Sequence, residues 1–64
     1  MADFRPTVER VLRDHKCNIK RQGKGDHTLW YSPMTNRTFP VDHVIKSRHT
    51  ANGIMKQAGI ALRF

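Results

Sequence analysis

The sequence predicts an α+β domain of order α-β-β-β-α, with a three-stranded antiparallel sheet and both helices on one of its faces. Three observations point there. Apolar residues recur at helical spacing near both ends of the chain. β-forming residues gather in three short runs between them. Turn-forming residues separate those runs at hairpin distances. Two amphipathic helices laid on one sheet face close a single core and leave the other face open.

The first helix is read from Phe4, Val8, Val11 and Leu12, which share one helical face. Asp3 is the expected N-cap, and Pro6 falls in the first turn, where its missing N–H costs little. The helix should fade near Lys16. The first extended stretch runs from Cys17 to Gln22, and Gly23-Lys24-Gly25-Asp26 has the composition of a turn. The second stretch runs from His27 to Tyr31. Trp30 and Tyr31 are adjacent there and point to opposite faces, so one of them belongs in the core. Ser32 to Asn36 closes a hairpin. The third stretch, Arg37 to Val41, contains Pro40, which cannot donate to a ladder and marks an edge or an end.

Asp42 to Arg48 reads as a connector with at most one helical turn. Thr50 is the expected N-cap of a second helix whose apolar stripe is Ala51, Ile54, Met55 and Ala58. Gly59 stands where a helix-ending glycine belongs. The expected core is Val8, Val11, Leu12, Ile19, Leu29, Phe39, Ile54 and Ala58.

The 64 residues suffice for one domain, spanning 1–64. A chain of this size buries only about 60% of its unfolded surface, so its stability margin is small. Its one cysteine, Cys17, has no partner for an internal disulfide. No apolar run approaches the roughly 20 residues of a membrane helix, and the N-terminal segment lacks the pattern of a secretion signal. A cytoplasmic protein that avoids membranes is the expectation.

Charge says more. Twelve Lys and Arg stand against five Asp and Glu, a formal net charge of +7. The cations are spread through a patterned sequence, as on the basic face of a folded domain that meets a polyanion. Nucleophile-elbow, P-loop, HExxH and CxxC motifs are missing from the sequence, and carboxylates are too few for a two-metal nuclease. The four histidines match no common zinc spacing. No metal and no small-molecule cofactor is expected.

The candidate site is the segment Gln22 to His27. Glycines in the turn allow a phosphate to approach the backbone, and Lys24, Arg21 and Lys20 supply charge for it. His27 follows at the start of a strand, where an imidazole can move a proton at neutral pH. Cleavage of RNA by its own 2′-hydroxyl needs such a group. His15 and His49 sit near helix ends. His43 lies beyond the third strand, at a distance from His27 that sequence does not set. The same basic face would equally serve a non-catalytic RNA- or DNA-binding module.

Two stretches carry a resemblance: Arg21-Gln22-Gly23-Lys24-Gly25-Asp26-His27, and Ser47 through Ile60 with its Ile54-Met55-Lys56-Gln57-Ala58-Gly59-Ile60 ending. With the leading helix and Phe39-Pro40-Val41-Asp42-His43 they resemble the HicA toxin family over nearly the whole chain. The resemblance implies a fold like that of double-stranded-RNA-binding domains. It also implies ribosome-independent cleavage of mRNA, inhibition by a HicB-type antitoxin, and a catalytic histidine at His27. This chain has Asp26 where many members have Ser, and no run of histidines follows His27.

If the basic residues bind phosphate, affinity for single-stranded RNA should fall with salt, with a log–log slope of about −0.7 per contact. Lys24→Ala should weaken binding and flatten that slope by one contact's share. Filter-binding measurements across a salt series check this, and salt-independent affinity would refute it.

Overall fold

The computed structural model describes residues 3–22 and 27–64. Its elements follow the predicted order: α1 (Arg5–Asp14), β1 (Asn18–Gln22), β2 (His27–Ser32), β3 (Arg37–Asp42) and α2 (Arg48–Ala58). The strands form one antiparallel sheet in the order β1-β2-β3. This is the element order of double-stranded-RNA-binding domains, as expected. None of the described helices is long and apolar enough to cross a membrane.

Both helices cover one sheet face. Val8 and Leu12 of α1 and Ala51, Ile54, Met55 and Ala58 of α2 share a core with Trp30, Phe39 and Val41. Cys17, Ile45 and Ile60 complete it. On β2 the buried residues are Thr28, Trp30 and Ser32, strictly alternating with His27, Leu29 and Tyr31. Trp30 is therefore the aromatic that enters the core. The Arg13 guanidinium lies 5.3 Å from the centre of its ring. The indole Nε1 is buried and has no hydrogen-bond partner among the described residues. Such an orphan costs about 1–3 kcal/mol, whereas truncating a buried Trp or Phe to Ala costs about 3–5 kcal/mol, so the inward placement wins.

Two expected core residues lie elsewhere. Leu29 shares the parity of Tyr31, so the inward turn of Trp30 sends it to the open face, where it is half-buried. Ile19 pairs with Trp30 on β1, but β1 is an outer strand that the helices do not cover, and Ile19 stays 43% exposed. Val11 is partly buried against the core.

The caps also differ in detail. α2 is capped by Ser47, whose Oγ accepts from His49 N at 3.1 Å and Thr50 N at 3.5 Å, so Thr50 is already helical. Ser47 has the extended backbone an N-cap needs. The connector 43–47 forms no helical turn. Asp3 does not cap α1 in the expected way, because Phe4 occupies the cap position. Its Oδ1 instead accepts from Arg5 N at 3.0 Å and from Ile45 N at 3.1 Å. Phe4 N donates to Ile45 O at 2.7 Å, so the start of α1 is clamped to the segment after β3. The two backbone N–H groups, Arg5's first, hold the Asp3 carboxyl below its ordinary 3.8.

Both helices end on a left-handed residue with paired reverse hydrogen bonds. After α2 the residue is Gly59 at φ 78°, with Ile60 N donating to Met55 O. After α1 it is Lys16 at φ 68°, with Cys17 N donating to Leu12 O. The two sites differ in how they fit their residue. A Cβ on Gly59 would meet the Thr35 methyl at 2.7 Å, whereas Lys16 carries its Cβ in a conformation that costs roughly 1–2 kcal/mol. Gly59→Ala should therefore destabilise the fold by about 1–3 kcal/mol. Lys16→Gly should raise the melting temperature by a few degrees, about 1 kcal/mol corresponding to 4–8 °C for a domain this small. Thermal unfolding of the two variants checks the opposite signs.

Candidate functional site

The helix-free sheet face carries the candidate site. Period-two alternation puts His27, Leu29 and Tyr31 of β2 there, opposite Asp42, Pro40 and Thr38 of β3. On β1, Asn18 pairs with Tyr31 and Arg21 with Leu29. Between them the register shifts at Lys20, a β-bulge. A bulge inserts one unpaired residue and re-aims side chains. Consecutive residues of a regular strand point to opposite faces, but here Lys20 also reaches the open face. Its Nζ lies 5.6 Å from the centre of the Tyr31 ring. Two consecutive cations, Lys20 and Arg21, thus line the same face as His27.

His27 begins β2 and Asp42 ends β3, and the hairpin register sets them directly opposite one another. His27 Nε2 lies 3.0 Å from Asp42 Oδ1, with the two side chains 51% and 48% exposed. An imidazole held this way by Nε2 keeps Nδ1 for another partner. The pair is half in water, so it orients the ring more than it stabilises the fold.

His43 follows Asp42, where the chain bends away from the sheet. Its Nε2 lies 3.4 Å from Thr28 Oγ1, on the strand position next to His27. His27, Asp42, His43 and the exposed Val44 line a single cleft at this end of the hairpin. His49 stands apart from it, in a groove between β3 and α2 that Pro40 and Asp42 also border. His15 is occupied locally, its Nδ1 lying 2.8 Å from Val11 O. Among the described residues, no three His, Cys, Asp or Glu side chains are grouped as metal ligands.

Of the residues singled out from sequence, His27, Lys20 and Arg21 share the open face. Lys24, with Gly23, Gly25 and Asp26, lies outside the described residues. Sequence reasoning passed over Asp42, which it placed in the connector. The signal was present: counting back from the Ser32–Arg37 pair in a regular hairpin brings His27 opposite Asp42. It also missed the bulge that gathers Lys20 and Arg21.

Comparison with family models, curated proteins and solved structures finds no match to this chain.

The half-exposed His27–Asp42 pair makes a measurable claim about stability. A double-mutant cycle with His27→Ala and Asp42→Asn should return a coupling of about 1 kcal/mol or less. Each variant should unfold within a few degrees of wild type. A coupling well above that would make the pair a structural strut.

Proposed function

We propose that this chain is an endoribonuclease of the mRNA-cleaving toxin type, as its resemblance to the HicA family implies. RNA would lie on the open sheet face, and His27 would carry the proton transfer. The observation that carries the reading is the solvent-facing imidazole of His27, oriented by Asp42 at 3.0 Å on a face that also presents Lys20 and Arg21.

The chemistry follows from these groups. With its Nε2–H donated to Asp42, His27 offers the Nδ1 lone pair as base. It removes the proton from the 2′-hydroxyl, whose oxygen attacks the adjacent phosphorus. Asp42 stabilises the imidazolium that forms, in the manner of a carboxylate behind a catalytic histidine. Lys20 and Arg21 bind phosphate, with Lys24 assigned the same role from its place in the sequence. Charge on the phosphate grows in the transition state, and these cations stabilise it. The products are a 2′,3′-cyclic phosphate and a 5′-hydroxyl. DNA resists because it lacks the nucleophile.

A nuclease of this kind needs restraint inside its host. The reading therefore includes a HicB-type antitoxin with an acidic surface that covers His27 and its basic surroundings, captured rapidly through opposite charge.

The test is cleavage of RNA by purified protein in the presence of a chelator. Wild type should release cyclic-phosphate ends under these conditions. His27→Ala should lose about 10²–10⁴ in rate, typical for removal of a general acid or base, while keeping its fold and most of its RNA affinity. A folded His27→Ala that cuts at the wild-type rate would sink the assignment. Wild type that binds RNA without cutting it would leave a non-catalytic RNA-binding module.

A further inference from the structure

We propose that His43 is a second catalytic residue: within the ribonuclease reading above, on which this inference rests, it protonates the leaving 5′-oxygen while His27 deprotonates the 2′-hydroxyl. The geometry at the end of the β2–β3 hairpin leads there. His27 and Thr28 are consecutive on β2, and Asp42 and His43 are consecutive at the end of β3. His27 Nε2 meets Asp42 Oδ1 directly across the hairpin at 3.0 Å, while His43, just past the end of β3, reaches diagonally to Oγ1 of the inward-facing Thr28 at 3.4 Å. Each imidazole makes its polar contact through Nε2, neither Nδ1 has a hydrogen-bond partner among the described residues, and both rings line the same cleft.

The two holding groups differ, and the difference divides the labour. The Asp42 carboxylate can only accept, so the hydrogen of a neutral His27 ring sits on Nε2 and Nδ1 is the lone pair that takes a proton. Thr28 offers a neutral hydroxyl, whose oxygen accepts from Nε2–H of a protonated His43. That leaves Nδ1–H of His43 to donate. In one turnover the 2′-oxygen–hydrogen bond breaks and its proton passes to His27. The 2′-oxygen–phosphorus bond forms as the phosphorus–5′-oxygen bond breaks. The departing oxygen takes its proton from His43. His27 ends as imidazolium and His43 neutral, and exchange with water resets both. Attack and departure lie in line on opposite sides of phosphorus, so a single ring is poorly placed for both transfers. Two rings walling one cleft meet that demand.

Leaving-group chemistry separates the roles. A dinucleotide with the ordinary 5′-oxygen requires protonation as it leaves. The same dinucleotide with sulfur in place of that oxygen leaves as a thiolate without help. His43→Gln keeps a donor toward Thr28 but has no acid in place of Nδ1–H, and His43→Asn serves as a second variant. Thermal melts establish that each is folded at the assay temperature. Cleavage of the oxygen substrate should drop about 10²–10⁴-fold in both variants, while the sulfur substrate is cut at nearly the wild-type rate. His27→Ala should lose activity on both substrates. A folded His43 variant that cuts the oxygen substrate at the wild-type rate, or that loses equally on both, overturns the role of His43 and leaves that of His27 standing. If His27→Ala cuts both substrates normally, the ribonuclease assignment of His27 itself is what fails.

Discussion

The inward turn of Trp30 governs the rest of the molecule. A strand has two faces and a period of two, so committing one residue commits its neighbours. Trp30 is fully buried, and its burial is worth a large part of the 3–5 kcal/mol or so that a core this small supplies. A one-residue slip forfeits that. Slipping β2 by one residue would bury Tyr31 and Leu29, strand the Tyr31 hydroxyl away from Asn36, with which it bonds at 2.6 Å, and turn His27 toward the helices. The position of His27 on the open face is thus set three residues away, by packing.

From that constraint the open face is assembled by pairing alone. The β2–β3 hairpin has no irregularity between Ser32–Arg37 and His27–Asp42, so a carboxylate arrives opposite the imidazole by register. The β1–β2 pairing does have one, and the bulge at Lys20 adds a second cation beside Arg21 on the same face. Regular and irregular pairing therefore contribute different things: the regular ladder delivers geometry, and the bulge delivers charge density. Behind the sheet, Ser32 Oγ donates to Ala58 O at 2.6 Å and Thr35 Oγ1 to Gln57 O at 3.1 Å. These bonds tie the far end of the hairpin to the end of α2. The opposite end, where His27 and His43 lie, is left open as a cleft.

Element order, and strand limits to within one residue, were legible in the sequence because each rested on a strong local signal. Helical spacing in Phe4–Leu12 and Ala51–Ala58, the clustered β-formers and Gly59 as a helix end are all local. What escaped was decided by neighbours distant in sequence. Leu29 looks like core until Trp30 claims the inward parity. Ile19 looks like core until β1 proves to be an outer strand. Asp3 and Thr50 have cap chemistry, but Asp3 is drawn off by Ile45 N and Ser47 reaches the α2 N–H groups first. At the site, His27, Lys20 and Arg21 were legible as residue types in a basic segment. Asp42 could be placed only by counting the hairpin register back from Ser32–Arg37, and His43 acquired meaning only where the chain bends after β3.

The bulge has another effect at the rim of the sheet. β1 is an outer strand with every residue exposed, and an outer row of peptide groups is a template for extending a sheet edge to edge. A flat, apolar rim would invite that; here a bulge interrupts the strand at Lys20, and Lys20 and Arg21 place two cations on it. The opposite rim is interrupted by Pro40, which has no N–H to offer. The bulge that sets Lys20 beside Arg21 on one rim and the proline on the other both disfavour edge-to-edge growth of the sheet.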